Sequence, residues 1–589
     1  MTTGRHTHTL IGVLLFVLFV STLTLTSIYA APRKLSIPEP NGDNINGYEI
    51  TSDGAHVVYL TDHETAERPE LYRVSTTEGT PIKLNPELAP EGRVNSFRLS
   101  PNGATVVYVA DLDGDSNDEF YTVPLTGGAS TNLNLPPDQD VSTFRISSDN
   151  NTIVYTSFDF STRASEIYSL PITGGTPTKL NGPLANGGSV TSFFSISPDS
   201  STVVYVADQD TDEVQELYAV PIGGGAVTKL NGSLIDGGNV ANSFTISPNS
   251  NTVVYMADQD TNDLRELYSV PITGGPPTKL NSELVDDVLL HDISSDGSTV
   301  VYTASTSTSI VDLYKAPITG GTVSRLTQGF IRFRGVSDFE ISSDSTFVVY
   351  SADRVEGGFN QLFWVSLVDD TSFDFGVPRE RFSDEILDFT LSPDDASVIY
   401  SFGDPRVSQR VLFQIPVEIN PVERFLSESL QDVDSFAVSN DSASVVYVAN
   451  RDLDFTEEIY VATIPVIGFV TDSMRIAEDA GETTITVELD APTDQPVSVD
   501  YAVTGGTATN GEDYTLTDGT LIFPANQTTE TFSISLIEDA QIEGDETIEI
   551  TLRNPSYATV LEDTLTITIE DTTSGGPDSN NIYLPLLIR

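Results

Sequence analysis

SPDSSTVVYVADQDTDEVQELYAVPIGGGAVTKLN (197–231) reads as strands and turns. FSISPDS (194–200) alternates and then turns on Ser-Pro-Asp-Ser. Val203-Val204-Tyr205 follows, an Asp-rich turn leads to Leu217-Tyr218, and a Gly-rich turn leads to Thr228-Lys229-Leu230-Asn231. β-Branched and aromatic residues alternate in each stretch, with Asp, Asn, Gly and Pro between them. Four short antiparallel strands account for this pattern.

The unit recurs along the chain. A Val/Ile-Val/Ile-Tyr triplet ends at Tyr59, Tyr108, Tyr155, Tyr205, Tyr255, Tyr302, Tyr350, Tyr400 and Tyr447, at intervals of 47 to 50 residues. A second aromatic follows each triplet by twelve or thirteen residues: Tyr72, Tyr121, Tyr168, Tyr218, Tyr268, Tyr314, Phe363, Phe413 and Tyr460. Four-stranded units at this period predict propeller blades. The Val and aromatic stripes then form a core between blades. The ninth unit lacks a segment like TKLN, because the chain leaves at Ile464-Pro465. Arg33-Lys34-Leu35-Ser36 has that pattern and stands before the first unit, so it is expected to supply the outer strand of the last blade. Nine strands of each kind then exist, which gives nine blades. Eight, within the usual range of about four to eight, is the alternative.

This unit resembles the TolB-type, or WD-like, propeller repeat in its S-P-D turn, its triplet, its LY pair and its closing TKLN. The likeness runs from residue 33 to about 465. It implies a ring that binds a protein or ligand, often in the bacterial envelope. Some members carry a peptidase domain behind the propeller. No G-x-S-x-G elbow occurs in this chain, which excludes that variant.

From Val466 the period changes. TTITVEL (483–489), VSVDYAV (497–503), TFSISLI (531–537) and TLTITIE (564–570) alternate strongly, and a sandwich of about seven strands fits the length. Glu478 with Ala480-Gly481, GGTATNGEDY (505–514), IEDAQIEGDE (537–546) and the terminal IED (569–571) resemble a Calx-beta domain. The resemblance implies calcium at one end of the sandwich. The matching ligand positions are Glu478, Asp513, Glu538, Asp539, Glu543, Glu546, Glu570 and Asp571. Ala540 replaces an acid of the usual run, and Thr572 ends the terminal run early. Either departure reduces the number of ions or their affinity, and many such domains serve only as spacers.

The ends carry their own signals. Residues 1–31 read as a signal peptide: Arg5, an apolar run from Leu10 to Val20, and small residues at Ala30 and Ala31. The run is shorter than the ~20 residues that span a bilayer. An uncleaved anchor is the alternative, and the only route to a membrane. TTSGGPDSNN (572–581) is a polar linker, and IYLPLLIR (582–589) is an apolar tail. The tail resembles a YLPL-type ending of exported bacterial proteins, and a strand docked on the sandwich explains it equally well. The fold class is thus all-β: signal peptide 1–31, propeller 32–465, immunoglobulin-like Calx-beta sandwich 466–571, and linker with tail 572–589.

Charge narrows the function. The 589 residues hold 28 Lys+Arg and 86 Asp+Glu, a formal net charge of −58. Such a polyanion excludes nucleic acid as a partner. With no cysteine, disulfides, thiolate metal sites and cysteine nucleophiles are excluded. The second-to-third-strand hairpins and fourth-to-first connections share one face of the ring. That face is expected to carry an acidic rim at Asp62, Glu64, Asp111, Asp113, Asp115, Asp118, Asp208, Asp210, Asp212, Asp258, Asp260, Asp263, Asp452 and Asp454. DLDGDSND (111–118) has acids at calcium-loop spacing, so Asp111, Asp113 and Asp115 are candidate ligands. Ser116 occupies the position of the usual glycine, and ordinary Asp turns form the same way.

Only His56, His63 and His291 remain after residue 31. A structural role is expected for His291, in the aromatic position of a first strand, and a surface position for His63. Trp364 is expected to pack rather than carry a sugar. The expectation is a non-enzymatic exported protein that binds a protein or cell-wall glycan, with calcium in the sandwich. The alternative is an extracellular carbohydrate-active enzyme, a lyase or glycosidase, using carboxylates and calcium.

Overall fold

The computed structural model describes residues 32–36 and 44–571, apart from 78, 116, 134–138, 161, 282–286, 306–309, 328–334, 354–358, 376–384, 404–409, 418–423, 428–431, 451–456, 494–495, 539–543 and 563. The expected signal segment 1–31, the tail 572–589, and Asp539, Glu543, Asp452 and Asp454 lie outside these residues.

Residues 33–463 form nine antiparallel sheets of four strands. Blade four is representative: Val190–Ile196, Thr202–Ala207, Glu216–Pro221 and Thr228–Lys229. The ninth sheet takes its outer strand from the other end of the chain. Arg33–Lys34 pairs antiparallel with Glu458–Thr463, Arg33 opposite Val461 and Lys34 opposite Tyr460. The expected closure therefore forms, with nine blades rather than eight.

Period-2 geometry explains the ring. Successive side chains of a strand face opposite sides of its sheet. On the second strand of blade four, Val203, Tyr205 and Ala207 enter a cluster shared with blade three. Val204 and Val206 enter one shared with blade five. Eight clusters join successive blades this way, and a ninth joins Val57, Tyr59, Tyr72 and Val74 of blade one to Val446, Val448, Ile459 and Val461 of blade nine, with Leu35. In every blade the triplet Tyr stacks on the second aromatic, with ring centroids 5.3 to 5.8 Å apart. Each such pair contributes ~0.5–1.5 kcal/mol beyond the area it buries.

The polar letters of the repeat fasten the outer strand. Asn231 Oδ1 accepts the Leu217 amide at 2.9 Å, as Asn85 accepts Leu71 at 2.7 Å. Lys279 pairs with Glu266 at 2.5 Å, and Lys229 pairs with Glu216 in the same way. Tyr218 donates to that same Glu216 at 2.8 Å. At the closing joint Lys34 pairs with Glu458. The first-to-second-strand turns also link blades: the Asp199 amide donates to Ser250 Oγ at 3.0 Å, and Asp149 to Ser200 at 3.0 Å.

Residues 466–570 form two five-stranded sheets around one core that includes Ile467, Val487, Val499, Phe523, Ile534, Ile548 and Ile567. That makes ten strands against the seven expected; two pairings are parallel, Val466–Phe469 with Thr559–Glu562 and Ser473–Ala477 with Thr564–Glu570. Thr559 Oγ1 donates to Asp394 Oδ2 at 2.7 Å. Asp394 lies in a first-to-second-strand turn, so the sandwich touches the propeller face opposite the acidic hairpins.

Asn231→Ala removes the acceptor of a buried amide and should cost ~1–3 kcal/mol, read as a lower urea midpoint at unchanged m-value. Lys34→Glu sets like charges together at the closing joint. It should lower the melting temperature by more than Lys279→Glu does, because no turn joins the outer strand of blade nine to the strand Glu458–Thr463 it pairs with.

Candidate metal centres and the propeller channel

Strand polarity gathers the sandwich acids. Ser473–Ala477 and Thr564–Glu570 run parallel and finish together, Ala477 opposite Glu570, while Glu546–Arg553 starts there, Glu546 opposite Ile569. Glu478 opens a short 3-10 turn directly after its strand and is buried. The loop before Tyr514 approaches from the other sheet, the Ile537 amide donating to the Asp513 carbonyl at 2.9 Å. Glu478, Asp513, Glu546 and Asp571, with Gly544 and Ile569, line one cavity of about 10 Å³, roughly the space of one water.

The other expected ligands fall differently. Glu538 is exposed at the same end, just beyond Thr529–Leu536. Glu570 faces away from the cavity, since alternation turns it outward between Ile569 and Asp571. It accepts Arg475 Nε at 2.6 Å, and Asp545 accepts Arg475 Nη2 at 2.5 Å. Asp513 is held by the Thr509 amide at 2.6 Å, and Asp571 accepts the Gly544 amide at 3.3 Å. Four carboxylates of one sign against a single small cavity repel unless a cation joins them, and oxygen donors of this kind suit calcium.

Residues 461–573 match the Calx-beta domain. A crystal structure of the apo-form Calx CBD1 domain is 29% identical, covering 18% of this chain and 97% of its own, with a TM-score of 0.18. The calcium binding domain CBD12 of CALX1.1 is 30% identical over 18% of this chain and 44% of its own, TM-score 0.18. A structure from a study of two prolyl endopeptidases is 11% identical, covering 62% of this chain and 55% of its own, TM-score 0.39. At that identity and score the likeness carries no inference about activity. No curated protein matches the chain.

On the propeller, Asp111, Asp113 and Asp115 each place a carboxylate oxygen within 4.8 Å of the others. Asp111 is buried and accepts the Gly114 amide at 2.7 Å. The Asn117 amide and side chain hold the Asp115 carboxyl below the usual carboxylate range. Elsewhere the rim is structural. Asp62 accepts the amides of Asn44 at 3.0 Å and Glu67 at 3.1 Å. Asp208 caps Ser189 and Glu213, and Asp258 caps Asn239 and Asp263. These bonds tie each hairpin to the connection entering its blade. Gly188 is needed in one such connection, because a Cβ there would stand 2.5 Å from the Asp208 carbonyl. Asp210 and Asp260 lie 3.5 and 3.4 Å from Lys229 and Lys279. Much of the expected acidic face is therefore turn chemistry.

His291 stands opposite Tyr302, and burial lowers its pKa to about 4. His63 meets the Tyr72 ring edge-on at 6.4 Å. Trp364 stacks on Phe373 at 4.5 Å and meets Phe347 at 5.8 Å, so it packs.

Sequence reading overlooked the channel around which the nine first strands stand, several neighbouring ones in contact with one another. By alternation the residue after each first-strand aromatic lies on the strand face opposite that aromatic: Glu49, Arg98, Arg145, Ser195, Thr245, Asp292, Glu340, Thr390 and Ala437. Those positions alternate with core residues, and the signal was in the repeat alignment all along. Surrounding protein pushes the half-buried Glu340 carboxyl up from its ordinary range, and it raises Asp292, Asp338 and Asp388 too although those residues are exposed.

Glu340 accepts the Leu391 amide at 2.6 Å and Thr390 Oγ1 at 3.2 Å; burial nevertheless raises it, helped by Asp338 and Asp388. A carboxyl raised in the folded state stabilises below its unfolded pKa, ~4.3, and that contribution is lost as pH rises through the folded value. Glu340→Gln should therefore melt higher than the parent at pH 7 and equal it near pH 4, a difference that thermal scans across pH will read.

Proposed function

We propose that this protein is an exported, non-enzymatic binding protein. A TolB-like, WD-like bacterial propeller presents a surface to a protein or cell-wall glycan, and the Calx-beta sandwich binds calcium close to it. The convergence of Glu478, Asp513, Glu546 and Asp571 on one ion-sized cavity carries the calcium half of this reading. The name of its 30%-identical relative, a calcium binding domain, points the same way. Calcium would take its oxygen ligands from these carboxylates and remove their mutual repulsion, stiffening the end where strands of both sheets finish. The Asp111, Asp113 and Asp115 trio is a second, more exposed calcium candidate.

The exported location in this reading rests on the signal-like pattern of residues 1–31. His291, its pKa lowered by burial to about 4, stays neutral at physiological pH. Among the described residues no helix is long and apolar enough to cross a membrane, and the proposed export signal is residues 1–31.

Calcium added after chelation should raise the melting of the sandwich in the full chain, by ~2.7 kcal/mol of linkage at a hundredfold excess over Kd. Asp513→Asn and Glu546→Gln should abolish the shift. Asp113→Asn should leave it intact. An unchanged parent melting curve at millimolar calcium refutes the reading.

A further inference from the structure

Charge around the channel is one-sided. Arg98 and Arg145 occupy equivalent positions on the first strands of blades two and three. Asp292, Asp338, Glu340 and Asp388 belong to blades six, seven and eight, half a turn of the ring away. In a chain of net charge −58, two cations side by side in a channel are the exception that needs a reason.

The two arginines line a cavity of about 280 Å³ at the channel end bearing the first-to-second-strand turns, together with Leu99, Ile146, Ile196 and Ser195. Arg98 is partly engaged: its Nη1 donates to Glu49 at 2.6 Å, and Glu49 is also held by the Leu99 amide at 2.7 Å. Arg145 has no carboxylate partner among the described residues. Its Nε donates to the Phe194 carbonyl at 3.0 Å, and its guanidinium carbon lies 5.8 Å from the Phe194 ring centroid. Those two contacts fix the plane of the guanidinium and leave its paired Nη edge for a ligand. That edge matches the two oxygens of a carboxylate. Surrounding protein and the nearby Arg98 charge disfavour the protonated form of Arg145, which an anion would offset.

We propose that this cavity is a carboxylate-binding site, taking a ligand whose carboxylate meets the Arg145 fork while its apolar body lies on Leu99, Ile146 and Ile196. The acidic wall opposite sets the charge of the ligand. A dianion such as a phosphate monoester is repelled twice as strongly by that wall and by the whole chain. One carboxylate keeps the arginine contact at half that repulsion. The acidic wall also excludes anions from the rest of the channel, so an entering carboxylate is steered to the one place that accepts it. This site is independent of the calcium reading: it lies in the propeller and uses none of the sandwich acids.

The test is calorimetric titration of the full chain with acetate, hexanoate, methyl hexanoate and hexyl phosphate at low salt. Hexanoate should bind at least tenfold more tightly than acetate, because the apolar side chains add contact. The neutral ester and hexyl phosphate should bind at least tenfold more weakly than hexanoate. Arg145→Gln should weaken hexanoate at least tenfold with an unchanged melting temperature, and Arg98→Gln provides the second variant if Arg145→Gln unfolds the protein. Glu49→Gln, which frees Arg98 from its ion pair, should tighten hexanoate. Equal hexanoate binding by the parent and both arginine variants overturns the proposal. So does ester binding as tight as the acid, which would leave an apolar patch, or tighter binding of hexyl phosphate, which would leave a phosphate site.

Discussion

The ring depends on one pairing, that of Arg33–Lys34 with the strand Glu458–Thr463. In every other blade the outer strand follows the third strand directly in the chain, so a short turn delivers one to the other. In blade nine that joint has only noncovalent contacts: two ladder residues, Leu35 in the cluster of Val57, Tyr59, Val446 and Ile459, and the Lys34–Glu458 pair. Closure covers the sheet edges and removes the last unpaired interface. The residues just past the proposed export signal therefore belong to the core.

Around that closure the repeat divides its labour by face. Alternate side chains of each second strand serve the preceding and the following blade, so a single triplet supplies two interfaces. The polar letters between them are nearly all committed to structure. Asn of TKLN caps a third-strand amide, Lys of TKLN neutralises a buried Glu, and the Asp after the second strand caps the hairpin. A surface that looks like an acidic array in the sequence is thus largely a set of turns completed by their own carboxylates.

The two parts present different chemistry. In the sandwich, strand direction brings chain-distant acids to one end. In the channel, equivalent positions of nearly identical repeats carry Arg on one side and Asp or Glu on the other. A symmetric scaffold with asymmetric substitution has a field across its axis, and that field distinguishes ligands by sign.

Most of the fold was legible in the chain. Nine triplets, nine second aromatics and one displaced outer strand sufficed to count the blades and place the closure, because hydrophobic period and turn chemistry are local properties. The sandwich acids were readable through their resemblance, and four of them do line one cavity. Sequence spacing could not assign Glu570, whose side chain alternation turns toward Arg475, nor could it show that Asp62, Asp208 and Asp258 are spent on backbone amides. By itself the sequence determined the repeat, the period and the sign of the overall charge. Only the tertiary structure decided which carboxylates converge and that Arg98 and Arg145 face an acidic wall. Closing the ring sets residues hundreds of positions apart around one axis, and no local pattern encodes that distance.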